Sequence, residues 1–436
     1  MSRASDHHPR LVALRHHDFR LMWLGQLVST VGTEMQYAAL NWHIMTLLRG
    51  QTVSLTVLGQ SVTLDAAALG LGATGLVRVI PIVLCALPGG LAADAIDRRR
   101  ILLVTQSASG VVALAMGILT LRGSVSLPAM YGLIALGAVA VAFDNPARQS
   151  LVPRLVPREH LANAVSLNTL MWQIATILGP ALTGILMGLV GVDVGLLYVL
   201  NGLSFFAVVL ALLAMRYRGA RGVNVGGLGW RALLDGFRFS FDTKIIWSTM
   251  LLDFLATFFS SARTMLPLIA SDILRTDVAG YGVLATAQSV GAVLAGGVMA
   301  LQRGLDRQGP VLLTSVVVYG AATALLGLSG MFAVSYLCLA VTGAADTVST
   351  VIRGSVRQLV TPDSLRGRMT AVNMVFFMGG PQLGELEAGL VAAAFSVPAA
   401  IVSGGIATML MTVWIARRYP MLRKLDETPA AEPLPG

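Results

Sequence analysis

Charge is scarce in this chain. Asp, Glu, Lys and Arg make up 12% of its 436 residues, against about 25% in an ordinary soluble domain. Cysteine is almost missing. Cys85 and Cys338 fall in apolar runs far apart, which excludes a disulfide framework or thiolate metal centre and leaves both as small apolar filler. The pairs His7–His8 and His16–His17 have no cysteine or carboxylate constellation around them and read as interfacial tail, so no metal site is expected. Phosphate-binding GxxxxGK[ST], HExxH and GxSxG patterns are lacking too. ATP drive, enzyme chemistry and a cofactor therefore have nothing to rest on. Aromatic residues are 6%, and the basic tracts are not interleaved with stacking side chains. The net charge of +9 is therefore not that of a nucleic-acid binder.

What fills the chain is apolar. Hydrophobic residues reach 55% and the mean hydropathy is +0.74, in runs of about 20 residues that at 1.5 Å per residue cross a hydrocarbon layer of roughly 30 Å. The pattern predicts an all-α membrane protein with twelve transmembrane helices. Six spans lie near 20–46, 68–92, 101–121, 127–147, 163–189 and 193–215. Six more lie near 245–269, 280–301, 310–329, 332–352, 369–394 and 397–416. The first 19 residues are polar and show no cleavable leader. Of the 31 Lys and Arg residues, 26 fall in the tails and alternate gaps, against Arg49, Arg122 and Arg275 on the opposite side. Basic loops stay in the cytoplasm, which predicts that both termini are cytoplasmic.

The chain echoes itself. PREHLANAVSLN at 157–168 matches PDSLRGRMTAVN at 362–373 at an offset of 205, which also superposes Arg148 on Arg353, Gly179 on Gly384 and Gly184 on Gly389. The expected organisation is a tail 1–19, a six-helix bundle 20–215, a cytoplasmic linker 216–243, a second, pseudo-symmetric bundle 244–416 and a tail 417–436. Duplicated six-span halves are the signature of transporters that bind substrate between the halves. GWRALLDGFRFSF in the linker suits a short amphipathic helix on the membrane.

Three segments carry a resemblance: GLAADAIDRRR at 90–100, GPALTG at 179–184 and GELEAG at 384–389. With them the chain resembles the major facilitator superfamily, in the branch of enterobactin exporters and macrolide and multidrug proton antiporters. Gly90, Asp94, Arg98 and Arg99 match that superfamily's loop 2–3 motif, while Ala95 replaces its usual basic residue and Asp97 its usual glycine. The resemblance implies that Asp94 docks on the start of span 11 when a cytoplasmic gate shuts; a solvated topological signal is the alternative. Gly179, Pro180 and Gly184 are similar to the helix-5 motif of exporters. Proline there deletes one backbone hydrogen bond, and glycine admits a close neighbour.

Polar side chains line up within the spans. In span 1, Gln26, Thr30, Glu34, Tyr37 and Asn41 share an arc of about 80°. Span 5 has a similar stripe through Ser166, Thr169, Gln173 and Thr176. Lipid satisfies none of these groups, so both stripes are expected to line an interior cavity. Candidate proton- or substrate-coupling residues are the ionisable groups inside spans: Glu34, Arg78, Asp253, Arg263, Glu385 and Glu387. Glu34 and Arg78 lie at similar depth and suit each other as partners. Subtracting 205 puts Glu385 on Pro180, within the span 5 stripe, and Glu387 on Leu182, outside it, which favours Glu385 for the cavity. Asp144 and Asp346 suit structural pairs with Arg148 and Arg353.

The combined expectation is a monomeric, proton-coupled exporter in the bacterial plasma membrane. Its cargo would be small hydrophobic or amphipathic compounds (drug, macrolide or siderophore), moved by alternating access. An importer or symporter of polar solutes on the same fold is the alternative. A non-transporting membrane sensor is a remote one, because the C-terminal tail carries no output module.

Overall fold

The computed structural model describes residues 11–57, 60–218, 237–261, 263–302, 307–362 and 365–425. Most of the linker, including the start of its amphipathic stretch, and the outer parts of both tails lie outside the described residues. Among the described residues, twelve long helices are present. The first six are α1 (His17–Leu48), α2 (Ala66–Ala95), α3 (Arg98–Leu121), α4 (Leu127–Leu155), α5 (Leu161–Thr183) and α6 (Val194–Ala214). The rest are α7 (Lys244–Phe259), α8 (Val278–Leu301), α9 (Gln308–Leu328), α10 (Phe332–Val360), α11 (Arg366–Ala394) and α12 (Val397–Arg418). Ten are long and apolar enough to cross a membrane. The two left over, α1 and α11, carry the first polar stripe and the two glutamates.

Helix ends follow local chemistry. Asp97, Asp193, Asp277 and Ser396 cap α3, α6, α8 and α12, each accepting a bond from a backbone amide of the first turn. Gly123 and Gly191 take positive φ (65° and 77°) just past α3 and α5's extension, a conformation that glycine adopts without strain. α4 and α10 run 29 residues each, about 43 Å, and so outlast the expected spans. The hydrocarbon limits an apolar run, whereas the helix continues into the interface on Arg-bearing turns. α5 passes Pro180 and relaxes into a π turn at Gly184–Leu189. α7 breaks at Ser260 and resumes through turns at Arg263–Met265, Leu266–Leu268 and Ile269–Ile273.

One element is additional to the expected helices. Between α1 and α2, strands β1 (Thr52–Val57) and β2 (Gln60–Asp65) form an antiparallel hairpin, with Thr52 opposite Asp65 and Val57 opposite Gln60. Alternation of Thr, Ser and Val, Leu over 52–57 is its signal.

Contacts group the chain into two compact units. Unit 1 comprises Met1–Tyr37, Pro81–Leu182 and Gly191–Gly227; unit 2 comprises Ala38–Ile80, Thr183–Val190 and Leu228–Gly436. This is a grouping by packing, distinct from the division by repetition. In unit 1, α3 packs on both α4 and α6, around a core that includes Phe19, Leu102, Leu151 and Leu212. In unit 2, α10 packs on α8 and α9, and α12 on α9. Small residues set these approaches: an added Cβ at Gly343 would strike the Gln288 carbonyl and one at Gly291 the Ala340 carbonyl. Close backbone approach replaces the hydrophobic drive that lipid removes.

Candidate functional site

Unit 1 holds a buried polar cluster. Asp144 on α4 pairs with Arg148 one turn later. It also accepts hydrogen bonds from the Thr105 hydroxyl (3.0 Å) and the Gln106 amide (2.6 Å) on α3. Gln26 on α1 turns its amide oxygen to the guanidinium, accepting from Nε at 2.9 Å and Nη1 at 3.0 Å. Acid and base match one to one, and Gln26 is held here at 3% exposure.

Unit 2 holds a counterpart. Arg353 on α10, 2% exposed, donates from Nη1 to Asp253 of α7 at 2.7 Å. Its Nη2 lies 3.7 Å from Asp346 and donates to the Thr350 hydroxyl at 2.9 Å. The sequence pairs Asp346 with Arg353. It gives no sign that Asp253, a hundred residues upstream, is the nearer partner. Only helix packing reveals that.

The acids on α1 and α11 sit where glycine thins a neighbouring helix. Glu34 is 6% exposed, and a Cβ on Gly179 of α5 would lie 2.5 Å from its Cβ and 2.7 Å from its backbone carbon. The helix-5 motif is thus a notch that seats α1 at Glu34. Glu385 is 3% exposed and packs on Gly75 of α2, where a Cβ would lie 2.9 Å from the Glu385 Cβ and would strike the Gln382 carbonyl. Gly72 meets Gly389 one turn away. Arg78, three residues past Gly75, follows on that face of α2 and is half-buried. Glu387 is half-buried. Arg263, also half-buried, opens the turn after the break in α7.

The remaining stripe residues divide by exposure. Thr30, Asn41 and Thr176 are buried, Tyr37 and Gln173 half-buried, and Ser166 and Thr169 exposed. The Asn41 amide has no hydrogen-bond partner among the described residues. In the loop 2–3 motif, the Asp94 side chain lies outside what is described. A Cβ added at Gly90 would meet nothing within 4 Å. Asp97, the departure from glycine, accepts from the Arg99 amide at 3.0 Å and starts α3. Arg99 caps the end of α6, donating to the carbonyls of Leu212 (2.7 Å), Leu213 (3.2 Å) and Tyr217 (3.2 Å), where a cation is favoured. Arg98 is 6% exposed.

Within unit 2, the hairpin end of α1 and the π-turn extension of α5 pack on second-half helices. The Tyr281 hydroxyl donates to the Ala38 carbonyl at 3.2 Å, and its ring stacks on Trp42 with centroids 5.4 Å apart. Arg49 pairs with Asp272 at 2.8 Å. Gly184 and Gly188 abut Ala279. Sequence reasoning missed Asp272 and Tyr281, whose roles rest on contacts across more than two hundred residues. Among the described residues, no three His, Cys, Asp or Glu side chains gather as a metal site.

A duplicated set of long apolar helices with buried charged clusters defines a multi-pass membrane transporter. The chain matches the transmembrane secretion effector family over residues 9–434 and belongs to it, within the major facilitator superfamily. It is 25% identical over 414 residues to the enterobactin exporter EntS of Shigella boydii serotype 4 (strain Sb227), covering 95% of this chain and 94% of that one. The same figures hold for the enterobactin exporter EntS of Escherichia coli O81 (strain ED1a). Among solved structures, a bacterial homologue of the human lysosomal transporter Spinster has a TM-score of 0.69 at 15% identity, covering 97% of this chain and 100% of that one. The nucleoside transporter NupG has a TM-score of 0.69 at 13% identity, covering 94% and 100%. These last two establish a shared fold.

Proposed function

We propose that this protein is a proton-coupled exporter of small hydrophobic or amphipathic compounds, a siderophore, macrolide or other drug. It works by alternating access as a monomer in a bacterial inner membrane, with both termini cytoplasmic. The two halves of the reading have different supports. Export draws on the similarity to enterobactin exporters. Proton coupling draws on one observation: Glu34 and Glu385 are buried acids, from the first and the second repeat, each seated in a glycine notch of a neighbouring helix. A carboxylate seated between helices can bias one conformer against another through a change in its charge. The hairpin-end contacts of unit 2 fit an outer gate, because a gate must close on contacts that part readily. An exposed ion pair such as Arg49–Asp272 is worth little net stability.

The test is transport by the full chain in proteoliposomes. A catecholate siderophore, a macrolide and a hydrophobic dye cation are each offered with and without an imposed pH gradient. Concentrative movement of at least one, abolished by a protonophore, is expected. Glu34→Gln or Glu385→Gln should remove accumulation while sparing downhill exchange. Accumulation independent of the pH gradient refutes the coupling. Full concentrative transport by both variants moves it to other acids.

A further inference from the structure

The two buried clusters are related by the repeat, and the way they differ is informative. The offset of 205 that carries Arg148 onto Arg353 carries Asp144 onto Ser349. In the first half, the acid one turn before the arginine neutralises it, and α3 supplies two further donors to that acid. In the second half, a serine takes the acid's place. Two carboxylates, Asp253 from α7 and Asp346 from α10 itself, now lie within ion-pair distance of a single guanidinium. Arg357, one turn beyond Arg353, makes no ion pair among the described residues but lies within electrostatic reach of Asp253 and Arg353. The second cluster therefore sets two carboxylates at ion-pair distance from one guanidinium, with Asp253 the nearer at 2.7 Å and Asp346 the farther at 3.7 Å.

The farther carboxylate, Asp346, borders open space. Asp346, Arg353, Ser349 and Tyr319 line a small cavity of about 10 Å³, close to the room that one water needs. Asp253 is enclosed, with a side chain 6% exposed, whereas the Asp346 side chain is 44% exposed. The Ser349 hydroxyl and Arg353 Nε are buried without a hydrogen-bond partner among the described residues, so the site has unused polar capacity beside the acid. Few other charges face it. α9 contributes Tyr319, α7 contributes Asp253, and α8 has no charged side chain along Val278–Leu301. α12 meets this core through Ile415, and its charges Arg417 and Arg418 follow at its end.

We propose that the Asp253–Arg353–Asp346 cluster is a proton-binding site of the second half, with Asp346 as the group that takes the proton. Asp253 keeps the guanidinium. A hydronium reaching the cavity transfers its proton to an Asp346 carboxylate oxygen and leaves water behind; release reverses the step. Protonation leaves Asp253 as the one ionised carboxylate on the Arg353 guanidinium, the one-to-one pairing that Asp144 and Arg148 make in the first half. This inference rests on the proton-coupled reading and adds a site to the two glutamates named for it.

The experiment is difference infrared spectroscopy of the full chain in liposomes, titrated from about pH 8 to about pH 4, down to the ordinary carboxyl range. A carbonyl component of a protonated carboxylic acid should grow in on acidification. It should vanish in Asp346→Asn, persist in Glu34→Gln and Glu385→Gln, and return at a shifted frequency in Asp346→Glu. The amide bands of the same spectra report helix content. If Asp346→Asn fails to fold, the shift in Asp346→Glu decides. An unchanged spectrum in Asp346→Asn overturns the assignment. So does loss of the component at fixed low pH when sodium chloride replaces choline chloride, which would make this a metal-cation site. Transport indifferent to a pH gradient, with the Asp346 component intact, would sink the coupled-exporter reading and leave the proton site standing.

Discussion

Asp18 shows how one side chain fastens the first helix of the first repeat to the end of its last. At the first turn of α1 it accepts from His17 and from the backbone amides of Arg216 (3.0 Å) and Tyr217 (2.8 Å), just past α6. Partial burial pushes its carboxyl up, but the His17 bond and the two amides outweigh this and hold it below the usual aspartate range. A depressed folded-state value stabilises the fold above the unfolded value of about 3.9 and loses that contribution as pH falls through the folded one. Asp18→Asn is therefore expected to lower the melting temperature at neutral pH and to flatten its decline below about pH 4. Thermal unfolding in detergent across that range checks it, and an unchanged acid limb would remove Asp18 from the account. Arg99 does similar work at the same end of α6. It was legible as a motif residue, but its cap on three carbonyls was not, because those acceptors are backbone atoms more than a hundred residues away.

Among the elements, α5 is the most specialised. Its stripe, its Gly179–Pro180 pair and the π turn that follows are all consequences of one stretch of sequence. Proline removes a backbone donor, and the ladder re-forms one residue wider beyond it. Gly179 leaves the room that α1 occupies at Glu34. A Cβ there would lie 2.7 Å from both the Glu34 carbonyl carbon and the Met35 amide nitrogen, so even alanine must push the helices apart. Gly179→Ala should cost about 1–3 kcal/mol, the range for overpacking. Gly137→Ala on α4, where an added Cβ meets nothing within 4 Å, should be neutral or stabilising. Melting temperatures of the two variants side by side decide. Equal values would mean that α1 is not confined by the notch.

For the whole molecule, the telling fact is that α1, α2 and α5 are each divided between the two packing units, at Tyr37/Ala38, Ile80/Pro81 and Leu182/Thr183. Their ends within unit 2 are packed with second-half helices. If those contacts form an outer gate, locking them must stop the cycle. With Cys85 and Cys338 replaced by alanine, Arg49→Cys with Asp272→Cys joined by a short bis-maleimide should abolish transport. Each single variant treated alike should keep it. Asp272→Asn should leave the melting temperature nearly unchanged, since the pair is solvent-exposed on both sides. Transport by the cross-linked protein would show that this end need not open.

The sequence by itself determined the class of this protein. Apolar runs of bilayer length, basic residues in alternate gaps and an offset of 205 between repeats are one-dimensional signals, because lipid allows only helices whose backbone bonds close within each segment. It also picked out the ionisable residues worth following, since each is costly in an apolar span. Tertiary structure alone decided their partners. Asp253 meets Arg353, Gln26 meets Arg148, and Asp272 meets Arg49 through packing of helices remote in the chain. It decided, too, that in the second half two carboxylates share one guanidinium where the first half sets one acid against one arginine. Charge can be counted along a sequence, but whether two charges neutralise each other depends on distance, and distance between helices is set by how their small residues pack.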